Sequence, residues 1–134
     1  MAFVFNVGSF GGERDLTDTI KENREFRRAY HRGKCHASPL LVTYVLKRRN
    51  GIRIGITTGK KVGNAVARSR ARRIIRAAWR EVQPEVCAAA DIVFVARART
   101  PMAKSTDLVP LIRRHLKAEG LLAERVNDDE TSAD

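Results

Sequence analysis

Residues 60–76 read KKVGNAVARSRARRIIR, and this stretch carries the strongest folding signal in the chain. On a helical wheel of about 100° per residue, apolar side chains fall on one contiguous arc and arginines on the opposite arc. The pattern predicts an amphipathic helix that begins after Asn64 as its N-cap, ends before Pro84 and packs its apolar side on a sheet. The apolar side, followed to the end of that helix, comprises Ala71, Ile74, Ile75, Ala78, Trp79 and Val82.

The opposite side of this helix is a row of arginines. Its members are Arg68, Arg72, Arg73, Arg76 and Arg80, with Arg70 near the edge. Four of them follow at i, i+4 spacing, where like charges repel by roughly a few tenths of a kcal/mol per pair, and no glutamate is interleaved. A solvated basic face is one interpretation. The other is a polyanion surface, favoured because arginine suits phosphate and because Lys60, Lys61 and the helix start at Asn64 form an anion-friendly end.

The net charge of +11 on the 134-residue chain is concentrated in one block. Residues 26–80 contain 16 Lys or Arg and no Asp or Glu, whereas the remaining residues carry a net charge of −5. Such a block attracts polyanions, most commonly nucleic acid, with an anionic membrane as the weaker alternative. The apolar runs fall far short of the roughly 20 residues of a membrane span. The N-terminus shows no basic leader or clear cleavage site, so we expect an intracellular protein.

The segments before the arginine-rich helix predict a helix and a hairpin. Thr19-Ile-Lys-Glu22 has the spacing of a capping box, so we expect a first helix from Thr19 to about Arg32, ending at Gly33. Residues 40–47 and 53–58 read as strands joined by an Asn-Gly turn, which predicts that they pair antiparallel. A strand at residues 34–37 is signalled only weakly.

The segments after it complete an α–β–β–α–β–α order. Residues 91–96, DIVFVA, contain an unbroken apolar run bounded by Asp91 and Arg97, which is typical of a buried strand. A last helix is expected from about Asp107 to Lys117, with Pro110 in its first turn. We expect one domain at residues 19–118, preceded by a flexible extension at 1–18 and followed by a disordered acidic tail at 119–134.

Three aromatic side chains form a second feature of interest. Phe26 and Tyr30 are four residues apart on the first helix and share a face, and Tyr44 lies on the following strand. They could be core residues. They could also form a stacking platform for single-stranded nucleic acid, since cations surround them in the sequence, and the sequence leaves both interpretations open. These cations are Arg27, Arg28, Arg32 and Lys34.

The sequence offers no convincing active site. The histidines are scattered, no carboxylate occurs between Glu25 and Glu81, and Cys35 and Cys87 lack metal-ligand spacing. We therefore predict neither a catalytic side chain nor a metal site in this chain. If the protein takes part in a reaction, another component supplies the chemistry.

Residues 53–81 closely resemble the signature of the bacterial ribonuclease P protein component. The family motif runs approximately KK-[VI]-G-N-A-V-x-R-N-R-x-[KR]-R-x-[IL]-R, and residues 60–76 match it in order. TIKENREFRRAYHRGK, LLVTYVLK and DIVFVARART resemble the flanking segments, so the resemblance covers about residues 19–118. The family's asparagine between two motif arginines is Ser69 here, and its shorter reach predicts an RNA contact that is lost or water-mediated.

The resemblance implies both a fold and a function. The fold is α+β, a two-layer α/β sandwich of the ribosomal protein S5 domain 2-like type. Its small, mainly antiparallel sheet carries the arginine-rich helix in a left-handed βαβ crossover. The function is that of the protein subunit of ribonuclease P, which binds the catalytic RNA and the 5′ leader of precursor tRNA and assists endonucleolytic removal of that leader. The Mg²⁺ ions required would be bound mainly by RNA.

The resemblance also assigns residues and partners. It implies ribonuclease P RNA and precursor tRNA as partners, a cytoplasmic location, and neither a membrane nor DNA. The catalytic RNA would be bound by Lys60, Lys61, Asn64, Arg68, Ser69, Arg70, Arg72, Arg73 and Arg76. The leader cleft would comprise Phe26, Tyr30, Tyr44, Lys60 and Lys61. The alternative is a structural RNA-binding protein of ribosomal type; a DNA-binding helix is disfavoured because no second helix precedes the basic one at turn spacing.

Overall fold

The computed structural model describes residues 17–20 and 22–122, which form a five-stranded sheet and three α-helices. In chain order the elements are β1 (Thr17–Thr19), α1 (Asn23–Arg32), β2 (Lys34–Ala37), β3 (Leu41–Lys47), β4 (Ile52–Thr57), α2 (Ala65–Val82), β5 (Ala90–Ala96) and α3 (Ser105–Ala118). The α+β class is confirmed, and so is the weakly signalled strand at residues 34–37.

The order of strands in the sheet is β1-β4-β5-β3-β2. The predicted pairing of β3 with β4 is therefore wrong, because β5 lies between them, antiparallel to β3 and parallel to β4. Six of the seven residues of β5 are buried. The central position in the sheet therefore stabilises this strand most, because its apolar side chains are covered on both faces there. The chain does bend at Asn50, and Gly51 follows with φ +84°, in the left-handed region that favours glycine. The four-residue loop 48–51 spans roughly 10 Å, the distance between two strands that have a third strand between them.

The unit β4–α2–β5 joins two adjacent parallel strands through the arginine-rich helix, as the βαβ prediction requires. β1 also pairs parallel with β4, whereas β2 and β5 each pair antiparallel with β3. Among the described strands, two pairings are thus parallel and two antiparallel. The sheet is mixed rather than mainly antiparallel.

The helices cover both faces of the sheet. On one face, α2 and α3 enclose the main core, in which Ile92 and Phe94 of β5 are fully buried. The predicted apolar side of α2 is confirmed, with Ile74 packed at its margin and the other five residues buried. On the other face, α1 buries Phe26 and Ala29 against Val93. The residues of β5 therefore alternate between the two cores, as the period of a strand requires.

Several predicted boundaries are wrong. Thr19 is the last residue of β1 and not a helix cap; α1 begins after Glu22, whose N–H faces the Glu25 side chain at 3.5 Å. The predicted limit between residues 18 and 19 thus cuts through β1, and residues 1–16 lie outside the described part of the chain. Pro110 lies in the second turn of α3, which starts at Ser105.

The predicted tail at 119–134 begins too early. Leu121 is fully buried in the main core, and its carbonyl accepts a hydrogen bond from the Cys87 N–H at 2.7 Å. Leu122 forms a β-bridge with Val86. The chain therefore continues to pack on the domain through residue 122, and residues 123–134 lie outside the described part of the chain.

Candidate nucleic-acid interface

The start of α2 is fixed by two local features of the sequence. The Asn64 side-chain oxygen accepts a hydrogen bond from the Ala67 N–H at 2.9 Å, which confirms Asn64 as the N-cap. Gly63 has φ +136°, and a Cβ there would lie 2.9 Å from that of Ala67, so only glycine fits. Lys60 and Lys61, both exposed, belong to a short 3₁₀ turn that leads into this cap.

The arginines of α2 lie away from the core, as predicted. Arg70, Arg73 and Arg80 are exposed, and Arg68, Arg72 and Arg76 are partly exposed. Burial lowers the pKa of Arg72 from its ordinary value, and the charge of Arg68 lowers it further. The pKa of Arg76 is lowered by burial and then by Arg80 and Arg73. The predicted repulsion among these charges is thus present in the folded protein.

Ser69 holds one of these arginines in place. Arg72 donates from Nη2 to the Ser69 hydroxyl at 3.1 Å and from Nη1 to the Thr58 hydroxyl at 3.2 Å. Thr58 is buried where β4 runs into the loop before α2, so it is a firm anchor. The arginine is therefore oriented before any ligand binds, and the short Ser69 side chain contributes to that orientation.

A cleft of about 690 Å³ lies between α1 and the ends of β4 and β5. It brings together four of the five residues predicted for a leader site, namely Phe26, Tyr30, Lys60 and Lys61. Arg27 and Thr57 also line it. The fifth predicted residue, Tyr44, contacts the cleft through Tyr30, because the two rings meet edge-on with centroids 5.0 Å apart.

The three aromatic residues differ in burial, which sequence alone left open. Phe26 is only 1% exposed and packs on Gly55, where an added Cβ would lie 2.6 Å from the ring. Tyr30 and Tyr44 are partly exposed. Burial raises the pKa of the Tyr30 hydroxyl, and a hydrogen bond with Thr57 partly offsets that rise. Phe26 is thus a core residue at the base of the cleft, and Tyr30, packed edge-on against Tyr44, supplies its accessible ring surface.

The cations near the aromatics in sequence are divided between two sides of α1. Arg27 lines the cleft with Tyr30, whereas Arg28 and Arg32 line the opposite flank of the helix. Lys34 is exposed on β2 and is not among the residues that line the cleft. The interleaving of aromatics and cations is therefore only partly reproduced in space.

An ion-pair network that sequence reasoning missed attaches α1 to the sheet. Asp91, only 1% exposed, accepts two hydrogen bonds from Arg53, from Nε and Nη2, each at 2.8 Å. Arg53 also donates from Nη1 to Glu25 of α1 at 2.8 Å. The hydrogen bonds with Asp91, and then with Glu25, raise the pKa of Arg53 well above its ordinary value against the effect of burial. These residues are 38 and 28 positions apart, so no local pattern predicts the network.

A second buried polar pair connects α3 with the edge of the sheet. His115 is 5% exposed and lies 2.9 Å from the Thr43 hydroxyl through Nδ1. Its ring stacks on His36, which contacts Glu119 at 2.7 Å. Within residues 19–20 and 22–122, no group of three or more His, Cys, Asp or Glu side chains could hold a metal ion. These histidines hold the end of α3 against β2 and β3.

Comparison with known proteins identifies relatives over the same region. The ribonuclease P family profile matches residues 16–119. A ribonuclease P protein component from Clostridium novyi is 39% identical over 107 residues, which are 78% of this chain and 95% of that protein. One from Clostridioides difficile is 37% identical over 75% of this chain and 90% of its own length.

Solved structures have the same fold. The RNase P protein of Staphylococcus aureus superposes with a TM-score of 0.67 at 27% identity, covering 81% of this chain and 98% of that one. The RNase P protein of Thermotoga maritima superposes with a TM-score of 0.65 at 21% identity, covering 74% of this chain and 94% of that one. At this identity the likeness concerns the fold alone.

Fold and site define a small α+β protein with a cationic helix face beside an aromatic cleft, features of proteins that bind RNA. The chain belongs to the ribonuclease P protein family. It is thus the protein component of an endoribonuclease that processes tRNA, and its partner is ribonuclease P RNA. In the described part of the chain, no helix is both long and apolar enough to span a membrane.

Proposed function

We propose that this chain binds the RNA subunit of ribonuclease P through the arginine side of α2 and the 5′ leader of precursor tRNA through the cleft beside α1. The observation that carries the proposal is the position of Lys60 and Lys61. Both line the cleft and both belong to the turn that leads directly into α2. An RNA leader bound in the cleft would therefore lie next to the RNA subunit bound on α2.

The two surfaces suit different parts of an RNA. The α2 face presents guanidinium groups on a rigid helix, which suits phosphates at fixed positions. The cleft combines the ring of Tyr30, which packs edge-on against Tyr44, with the charges of Arg27 and the two lysines. Single-stranded nucleic acid is bound by such a combination, at about 1–3 kcal/mol per stacked base. DNA is not a ligand in this proposal.

Catalysis belongs to the RNA subunit in this proposal. The surface offered to RNA is lined by arginine and lysine, which repel divalent cations and attract phosphates. The Mg²⁺ ions are held mainly by RNA, and the residues of this chain position the leader and neutralise phosphate charge. The complex works in the cytoplasm.

Reconstitution of the holoenzyme tests the proposal. The full-length protein alone should cleave no precursor tRNA, and together with bacterial ribonuclease P RNA it should restore 5′ cleavage at low magnesium concentration. Cleavage by RNA-free protein would contradict the assignment of catalysis. An absence of stimulation, together with co-sedimentation of the protein with ribosomes, would favour the ribosomal-type alternative.

A matched pair of variants tests the α2 surface. Arg70→Gln with Arg73→Gln removes two exposed charges from α2, and Arg114→Gln with Lys117→Gln removes two from α3. Only the α2 variant should weaken assembly with the RNA subunit, and the slope of log K against log salt should become shallower by about 1 for each arginine. Equal effects of the two variants would contradict the assignment of this surface.

A further inference from the structure

Leu121 and Leu122 direct the chain that follows them toward the end of α2. The Cys87 N–H donates a hydrogen bond to the Leu121 carbonyl at 2.7 Å, and Leu122 forms an antiparallel bridge with Val86. Because the paired segments run in opposite directions, the chain at Leu122 is heading toward Glu85 and the last turn of α2, and away from β5.

The segment that follows, residues 123–134, is strongly acidic. It contains five Asp or Glu and one Arg, a net charge of −4, and three of its acids are consecutive, namely Asp128, Asp129 and Glu130. A short segment tethered beside a binding surface has an effective concentration on the order of 1 mM, so even a weak contact is populated. A cationic surface near the end of α2 would therefore attract this segment.

The arginine side of α2 is such a surface. At the end nearest Leu122, Arg73 and Arg80 are exposed and Arg76 between them is partly exposed. Burial, and then the charges of Arg80 and Arg73, lower the pKa of Arg76 from its ordinary value. Negative charge placed beside these arginines would relieve their mutual repulsion, because an opposite charge stabilises the protonated form.

The acids of the segment lie within reach of these arginines. Val86 lies six residues beyond Arg80, which helical geometry converts into roughly 10 Å, and Arg73 lies about 10 Å farther back along α2. An extended chain spans about 3.3 Å per residue, so Asp128, six residues after Leu122, can lie up to about 20 Å from it. The three consecutive acids can therefore reach the last three arginines of the row.

We propose that the acidic segment 123–134 binds the arginine side of α2 in the free protein and is displaced when RNA binds there. Direction, reach and charge all favour this chain's own segment as the occupant. Competition of this kind lowers the affinity of the surface for every RNA by the same factor. An RNA with many phosphates at matching positions overcomes that loss, whereas a short non-specific RNA does not. The competition rests on the proposed function, but the internal contact does not.

Amide NMR spectra of the full-length protein test the internal contact. Asp128→Asn with Asp129→Asn removes two charges from the segment, and Glu13→Gln with Asp15→Asn, before β1, is the control with the same loss of charge. At about 0.05 M salt the segment variant should shift the amide signals of residues 73–80 and the control should not, and at about 0.5 M, where exposed charges are screened, the shifts should vanish.

Three results of the NMR experiment would overturn the proposal. The first is that the signals of residues 73–80 are the same in the segment variant and the wild type. The second is that the shifts fall on the cations of α1 or α3 instead of α2. The third is that the shifts depend on protein concentration, which would make a second copy of the chain the partner of the segment.

Affinity for bacterial ribonuclease P RNA tests the competition. The segment variant should bind about threefold more tightly than the control variant at low salt, since a segment bound in about two thirds of the molecules lowers the apparent affinity threefold. In a protein that also carries Arg73→Gln and Arg80→Gln, the same two substitutions should give no gain. Equal affinities of the segment and control variants would overturn the competition. If the wild-type protein bound no ribonuclease P RNA, the proposed function would fail, whereas the NMR shifts report the internal contact separately.

Discussion

Gly55 of β4 determines how closely α1 approaches the sheet, and its replacement by alanine should disturb the cleft. An ideal Cβ at this position lies 2.6 Å from two ring atoms of Phe26 and 3.5 Å from Cβ of Ile20. Ordinary contact requires about 3.4 Å or more, so the ring would have to move by roughly 0.8 Å. Overpacking of this kind costs about 1–3 kcal/mol.

The displacement has consequences for both stability and binding. The melting temperature of Gly55→Ala should fall by roughly 4–15 °C, given about 4–5 °C per kcal/mol for a domain of this size. Tyr30 packs on Phe26 with ring centroids 6.4 Å apart, so the cleft should bind a leader more weakly. The α2 face lies on the other side of the sheet, and assembly with the RNA subunit should be unchanged.

A double-mutant cycle with Phe26→Leu identifies the cause. Leucine removes the ring atoms that the new methyl group would contact, so the double variant should be more stable than the sum of the single effects, by about 1 kcal/mol or more. Both variants and the double variant are compared by urea unfolding and by leader binding. Additive effects, or a Gly55→Ala variant as stable as the wild type, would refute the close packing of α1 on β4.

Three further predictions concern other contacts. Asp91→Asn leaves Arg53 without its main partner and should lower the free energy of unfolding, measured by urea titration, by about 3 kcal/mol. Glu85→Gln breaks the exposed pair with Arg113 and should lower it by less than about 1 kcal/mol. Equal costs for the two variants would contradict the role of the network. Burial, and then the charges of His36 and Arg114, lower the pKa of His115 to about 4, below its ordinary 6.5, so stability should be lost as pH falls from about 6.5 to about 4, by up to roughly 3 kcal/mol. His115→Gln should flatten this dependence and His31→Gln should not; parallel curves for both would contradict it. Ser69→Ala removes one of the two hydrogen bonds that orient Arg72, so it should weaken binding of the RNA subunit by about 0.5–1.5 kcal/mol and leave leader binding unchanged. Unaltered assembly with the RNA subunit would show that the orientation of Arg72 is unimportant.

Local signals predicted the parts of the fold that depend on neighbouring residues. The period of α2 and its Asn64 cap are visible in consecutive residues, and both are confirmed. The hairpin failed because Asn50-Gly51 specifies a turn but not which strand pairs with which; β5, some 40 residues later, takes the central position. β1 has only three residues, too few to show a period.

The candidate site could likewise be predicted only as far as the spacing of neighbouring residues and the family motif allowed. The arginine side of α2 follows from its spacing, and the family motif assigned Phe26, Tyr30 and the lysines to one cleft. The partition of the α1 cations depends on how the helix is rotated on the sheet, which the packing of Phe26 on Gly55 and the Arg53–Glu25 ion pair determine together. Those contacts join distant residues, so the division of these cations between the two flanks of α1 is visible only in the folded chain.

The most direct test of separate surfaces for the RNA subunit and for the leader is the preference of the holoenzyme for leader-bearing over leaderless tRNA. It is measured as a ratio of dissociation constants, with wild-type protein and with Tyr30→Leu. Leucine keeps an apolar contact with Phe26 but removes the ring that a base would stack on. The preference should fall by about 5- to 150-fold, the equivalent of one stacked base, while assembly with the RNA subunit is unchanged. An equal loss of affinity for both tRNAs, or an undiminished preference, would contradict the account.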